Sequence, residues 1–142
     1  MSAQFPIKDI TSLIPQKVPF VMVDSLLSFA ETEVVSAFTV PSDNIFVENN
    51  CFTEPGLVEN MAQTIALHTG YNYFVKGEES PTGYIGSIKK THISKLPKVN
   101  ETITTKVNIL HEILGVTMVE IVVFNAENVE IASAEMKTVL AN

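Results

Sequence analysis

In the stretch FTEPGLVENMAQTIALHTGY, residues 52–71, the carboxylate of Glu59 sits beyond Pro55-Gly56 on an otherwise apolar, small-residue helical pattern. Leu57, Met61 and Ile65 recur every four residues, and Val58, Ala62 and Ala66 form a second row beside them. The two rows make a broad apolar face at the helical period, so this helix is expected to be largely buried. Gln63 follows Glu59 one turn later on the same side, within side-chain reach. A carboxylate near a buried helix start needs compensation, and the helix dipole with its free N–H groups supplies part of it. Glu59 and Gln63 therefore form a pair able to carry acid–base chemistry. A plainer reading stands beside this one, in which Glu59 is a capping or solvated acid that follows Pro55-Gly56.

Other reactive side chains are few. His68 lies nine residues beyond Glu59. At ~100° and ~1.5 Å per residue that puts it on the opposite side of the helix and about 13 Å along the axis, so it reads as a polar packing residue. His92 and His111 fall in strand patterns and belong to no triad or metal spacing. Glu48 and Glu54 are carboxylates that could serve as a general base where burial raises the pKa. Cys51, the one cysteine, has no basic neighbour in sequence and reads as a small packed side chain. No His/Asp/Glu cluster has ligand spacing; neither a metal nor another cofactor is expected.

The elements that must carry these residues are legible from periodicity. IKDITSLIPQKVPF reads as a short helix over Asp9–Ile14, capped by Asp9 and halted by Pro15. Residues 21–30 and 33–40 read as two strands around a tight turn at Glu31-Thr32, with Val35, Ala37 and Thr39 on one face and Val34, Ser36 and Phe38 on the other. The connection PSDNIFVENNCFTE reads as a long loop around Phe46 and Phe52. Pro55 fits the first helical turn with Thr53 or Glu54 as cap, and the helix is expected to fade after Gly70. Strands are expected over 84–96, 101–113, 115–126 and 129–140, with turns at Pro97–Asn100, around Gly115 and at Glu127-Asn128. Short connections imply an antiparallel sheet, hence an α+β fold with one long helix against it.

Composition narrows the partners. The chain has 142 residues, 46% of them hydrophobic and 18% charged, enough for one domain with a real core. No apolar run reaches the ~20 residues that span a bilayer, so no membrane is expected. The N-terminus lacks the pattern of a secretion signal, and a lone cysteine fits a reducing cytoplasm. The net charge is −7 and every basic residue is lysine, which argues against nucleic acid. Four of the nine lysines, Lys89, Lys90, Lys95 and Lys98, crowd one ten-residue window without an acid between them. They read either as a patch that steers an acidic partner or as the solvated edge of a strand.

Three segments resemble the hotdog-fold dehydratases that act on 3-hydroxyacyl thioesters of acyl carrier protein. LIPQKVPFVMVDSLL (13–27) is similar to their Leu-Pro-His-Arg-x-Pro-Phe-Leu-Leu-Val-Asp motif, and PGLVENMAQ (55–63) to their Pro-Gly…Glu-x-Met-Ala-Gln helix start. GYIGSIKKTHISKLPKVNETI (83–103) is similar to the strand that ends in a Pro-x-x-x-Gly-Asp type turn. Within that superfamily the helix segment looks closest to the dehydratase-like proteins of aryl-polyene and flexirubin clusters. The resemblance implies one hotdog domain over 1–142, a long central helix wrapped by the sheet, and a substrate tunnel at a dimer interface. It makes Glu59 the catalytic acid, Gln63 the side chain that orients it, and the Gly56 N–H a donor to the thioester carbonyl. It also places Phe46, Phe52, Pro55, Ser87 and Lys95 along the substrate, with Lys89, Lys90 and Lys98 meeting the carrier protein; coenzyme A is the alternative carrier.

One part of the pattern is missing. The family's base is a histidine in the loop before the helix, but here that loop reads DNIFVENNCFTEPG, and the position falls on Ile45 or Val47 depending on the alignment. Gln16 likewise stands where the family commonly has a histidine, at a position that is not its catalytic one. Three functions follow. The first is a dehydratase subunit, either a homodimer with another base or a heterodimer whose histidine-bearing hotdog paralogue completes the site. The second is a thioesterase that uses Glu59 as nucleophile or base. The third is a non-catalytic subunit that binds or hands over the acyl thioester.

Overall fold

A computed structural model describes residues 5–141. Eight strands and one helix follow in the order β1 (Ser25–Ala30), β2 (Glu33–Thr39), β3 (Val47–Glu48), β4 (Cys51–Phe52), α1 (Glu54–Val75), β5 (Gly83–Ile93), β6 (Thr102–Ile113), β7 (Val116–Phe124) and β8 (Glu130–Leu140). Six strands make one antiparallel sheet in the order β1-β2-β6-β7-β8-β5. The helix lies across it, mainly on β2 and β6. This is the expected hotdog arrangement. Alternation sets the inner face: Val34 and Phe38 of β2, Ile103 and Val107 of β6, and Val119, Ile121 and Val123 of β7 all point to the helix and are buried. Leu57, Met61, Ile65, Leu67 and Tyr71 meet them from α1. Each such side chain contributes about 1.5–3 kcal/mol by leaving water.

Four local expectations need correction. Asp9–Ile14 is a turn, not a helix: Leu13 N–H donates to Ile10 O at 2.9 Å, and the Asp9 carboxylate takes the Thr11 N–H and hydroxyl. The first strand starts at Ser25: the Met22 N–H and carbonyl are taken by Gln63 and Asn60 of α1, while Asp24 already bonds β2 through Ala37 O and the Thr39 N–H. The loop before the helix contains the small hairpin β3–β4, closed by Asn49 and Asn50 at φ 51° and 64°. Two residues in that left-handed region make the primed turn that suits a two-residue hairpin, and asparagine enters that region more readily than most side chains. The helix does not fade at Gly70 but runs on to Val75. Gly70 is there for space: a Cβ would overlap the carbonyl of Leu13, whose backbone crosses the helix at this point.

The link from β5 to β6 carries the chain from a sheet edge to its middle, since β5 pairs with β8 and not with β6. On the way it is fastened to the hairpin by Phe52 N–H to Pro97 O at 2.7 Å and Val99 N–H to Asn50 O at 3.1 Å. At its end the Glu101 carboxylate accepts the N–H groups of Lys98 and Ala126. This clamp holds the approach to the start of α1. The free edge of β5 is left uncovered.

Candidate active site

Glu59 lies on the first half of α1, half-buried, and its Oε1 accepts a hydrogen bond from Gln63 Nε2 at 2.8 Å. The i,i+4 spacing makes this contact, and the remainder of Gln63 is committed elsewhere. Its Oε1 accepts the Met22 N–H at 2.6 Å and its Nε2 also donates to Phe20 O at 2.7 Å. Gln63 is fully buried, so these bonds to the 20–22 backbone lock its rotamer and fix where the carboxylate points.

Beneath this pair runs a buried polar seam that sequence reasoning missed. Asn60 Nδ2 donates to Met22 O at 2.7 Å, Thr105 donates to Asn60 Oδ1 at 2.6 Å, and Thr64 bonds Ser36 at 2.7 Å. These four side chains have no measurable exposure. They join the helix to β2, β6 and the 20–22 segment at once. Asn60 and Thr64 stand four apart on an apolar helix, and that spacing is the sequence signal. Satisfied buried polar groups of this kind fix register where apolar packing alone leaves it loose.

A groove of about 240 Å³ opens beside Glu59. Ala62, Ala66 and Thr69 continue the line of Glu59 down the helix and form its floor, and Leu13, Pro15 and Gln16 make one wall. Residues from Ser80 to Ile85 and the end of β8 make the other. The small row at Ala62 and Ala66 thus lines a cleft and only partly supports the core. No histidine is among the groove's lining residues. His68 faces away: its ring stacks on Phe29 at 4.7 Å, and Nε2 lies 3.0 Å from both Ala30 O and Glu31 O. Two carbonyl acceptors require the proton on Nε2. Burial holds its pKa below the ordinary imidazole value, although the two carbonyls and Glu112 oppose that shift.

The other sequence-derived candidates are spread around this centre. Gly56 is buried in the first helical turn, where N–H groups have no carbonyl four residues back to bond, and a Cβ there would come within 2.6 Å of the Phe52 ring. Phe52 is a fully buried core residue packed on Phe38 at 5.4 Å, and Thr53, the N-cap, gives its hydroxyl to Phe46 O instead of to the helix. Pro55 is exposed at the helix start. Phe46, Phe52, Pro55, Gly56, Ser87 and Lys95 are not groove-lining residues. Lys89 and Lys90 lie on β5, with Lys90 paired to Glu135 at 3.1 Å, while Lys95 and Lys98 lie on the connection that follows. Glu48 and Glu54 are exposed and outside the groove. Among the described residues no three or more His, Cys, Asp or Glu side chains gather as metal ligands, and no helix is long and apolar enough to cross a membrane.

Comparison with known proteins supplies the family. A family model described as "ApeP-like: ApeP dehydratase" matches residues 8–142. A comparison with curated proteins finds no significant match. Among solved structures, the dehydratase heterocomplex ApeI:P from Xenorhabdus doucetiae superposes with a TM-score of 0.87 at 15% identity, covering 99% of this chain and 93% of that one. The smu.793 protein of Streptococcus mutans UA159 bound to acetyl CoA gives a TM-score of 0.62 at 14% identity, covering 82% and 87%. A hypothetical thioesterase with coenzyme A from Streptococcus pneumoniae TIGR4 gives 0.64 at 14%, covering 82% and 84%. At these identities the likenesses show the shared hotdog fold.

Proposed function

Because the chain belongs to the ApeP-like dehydratase family, we propose that it contributes the acidic half of a 3-hydroxyacyl thioester dehydratase site whose base comes from a second hotdog subunit. The observation that carries this reading is a carboxylate aimed at a groove by a fully buried glutamine, with no histidine in that groove. In the reaction, the partner's histidine takes a proton from C2 of the acyl chain. The thioester carbonyl takes up the developing charge, and Glu59 delivers a proton to the C3 hydroxyl. Water leaves, a C2=C3 double bond forms, and the thioester stays intact. Acyl carrier protein or coenzyme A holds the thioester, and the cytoplasm is the setting proposed.

The need for a partner is supported by shape. The edge strand β5 is exposed along nearly its whole length, with Tyr84 61%, Ile85 40% and Ile88 43% accessible. An open apolar edge invites pairing with another chain. Gly83, Tyr84 and Ile85 also line the groove, so a subunit seated on β5 would add a wall to the site. The present groove of about 240 Å³ is below the ~300–1,000 Å³ usual for ligand pockets, consistent with a missing wall. A solved structure of the same fold is itself a dehydratase heterocomplex, which supports pairing with a second subunit.

Mass spectrometry of a 3-hydroxyacyl carrier protein, incubated with the chain alone and with a histidine-bearing hotdog subunit, tests this. Loss of one water only in the mixture is expected. Dehydration by the chain alone would overturn the shared site. Free acid and thiol would favour the second reading, a thioesterase, which the histidine-free groove and the thioesterase-like neighbour also suit. Binding without turnover under both conditions would leave a non-catalytic subunit.

A further inference from the structure

Four hydrogen bonds in series join the middle of the sheet to the Glu59 carboxylate. Thr105 Oγ1 on β6 donates to Asn60 Oδ1 at 2.6 Å, and Asn60 Nδ2 donates to Met22 O at 2.7 Å. The N–H of the same Met22 donates to Gln63 Oε1 at 2.6 Å, and Gln63 Nε2 donates to Glu59 Oε1 at 2.8 Å. Asn60 and Gln63 thus grip one residue of the 20–22 segment by both of its backbone groups. A carbonyl can take only the NH2 end of the Asn60 amide, so Oδ1 must turn to β6, where the Thr105 hydroxyl meets it. Thr105, Asn60, Met22 and Gln63 have no measurable exposure, and none of them is a groove-lining residue. Asn60 follows Glu59 in the chain but stands ~100° round the helix from it, so it reaches the carboxylate only through Met22 and Gln63. A second buried pair offers a comparison. Ser36 faces Thr105 across β2 and β6 and bonds Thr64 at 2.7 Å, and Thr64 returns to the Asn60 backbone carbonyl, so this pair ends on the helix itself.

We propose that Asn60 and Thr105 are positioning residues of the dehydration, setting the direction of the Glu59 carboxylate through Met22 and Gln63. This rests on the reading of Glu59 as the acid. Packing alone does not call for the relay, because a matched apolar pair in place of two bonded polar groups is close to neutral for stability. What an apolar pair does not do is fix the Met22 backbone, and that backbone holds Gln63. Glu59 is itself only half-buried, so its side chain has room to turn. Misplacement of a reacting group by about 1 Å can cost about 100-fold in rate. Loss of the Thr105 hydroxyl leaves Asn60 Oδ1 buried without a donor; the amide then turns toward a new partner and releases Met22 O.

Thr105→Val keeps the shape of the side chain and removes the hydroxyl. In the chain paired with a histidine-bearing hotdog subunit it is expected to lower kcat about 5–10-fold at unchanged KM, since Thr105 does not touch the groove. Thr105→Ser keeps the donor and is expected to hold kcat within about twofold of the wild type. Ser36→Ala breaks a bond of equal depth outside the relay; it is expected to lower Tm comparably while kcat stays within about twofold. The steady-state measurement is repeated in the Glu59→Gln background, where no acid is left to aim and Thr105→Val is expected to cost nothing further. Thr105→Ala, which leaves room for a water to take over the donation, carries the same comparison if the valine variant does not fold. An equal fall in both backgrounds, an equal fall from Ser36→Ala, or an unchanged kcat in Thr105→Val beside an impaired Glu59→Gln overturns the proposal alone. Glu59→Gln without effect overturns the reading of Glu59 as the acid and the proposal with it, as does a pair that does not dehydrate at all.

Discussion

Glu59 has an orientation it does not set by itself. Its carboxylate is held by Gln63, and Gln63 is held by the backbone at Phe20 and Met22, so the acid's direction is fixed by a segment about forty residues away in the chain. An exposed carboxylate on the same turn would sample several rotamers and lose the effective concentration on which acid–base catalysis depends. Glu59→Gln preserves the hydrogen bond and removes the proton donor. In the paired enzyme it is expected to lower kcat by about 100-fold or more while Tm stays within a few degrees, measured by steady-state dehydration and thermal unfolding. Activity unchanged by this substitution would remove Glu59 from the chemistry.

The helix is an element built for close approach on one side and for a cleft on the other. Gly70 lets the Leu13 backbone cross it, and Gly56 admits the Phe52 ring. Gly70→Ala would favour the helix by intrinsic propensity, yet its Cβ overlaps a backbone carbonyl that cannot rotate away. The steric effect is expected to win, with a net loss of about 1–3 kcal/mol seen in urea unfolding. His68 ties the same helix to the β1–β2 turn through Ala30 and Glu31. Its folded pKa lies below the ordinary value of 6.5, so the unfolded chain binds the proton more readily. Stability from this residue is therefore full above pH 6.5 and is lost as pH falls from there to the folded pKa. His68→Gln should flatten that part of the stability–pH curve; an equal slope in both proteins would show that His68 does not titrate differently on folding.

At the scale of the whole molecule the proposed pairing turns on the free edge of β5. Ile88 is exposed there and is not a groove-lining residue, so a change at this position separates association from substrate contact. Ile88→Lys is expected to abolish pairing with the histidine-bearing subunit, read by light scattering, and to remove the dehydration that depends on it. Because the side chain is already 43% exposed, the isolated chain should unfold within about 0.5 kcal/mol of the wild type. Pairing that survives the charge would move the interface away from β5. The lysines on this strand and its following connection are exposed, and Lys90 is paired with Glu135.

The antiparallel sheet, the buried helix and the Glu59–Gln63 pair were readable in the sequence because they rest on local spacing. Alternation assigns Val34, Ser36 and Phe38 to one face, and an i,i+4 step brings two side chains together wherever the helix lies. Other features depend on long-range contacts and carry no local period. Gly70 reads as a stop until Leu13 is seen across it, and the Asn49-Asn50 hairpin is visible only as loop composition until its strands pair. Asn60 and Thr64 look out of place on an apolar helix until Thr105, Ser36 and Met22 meet them. The groove belongs to the same class. Gln16, Glu59, Tyr84 and Thr138 come from four separate parts of the chain. Only the folding of helix onto sheet, with β5 carried to the far edge, brings them around one space.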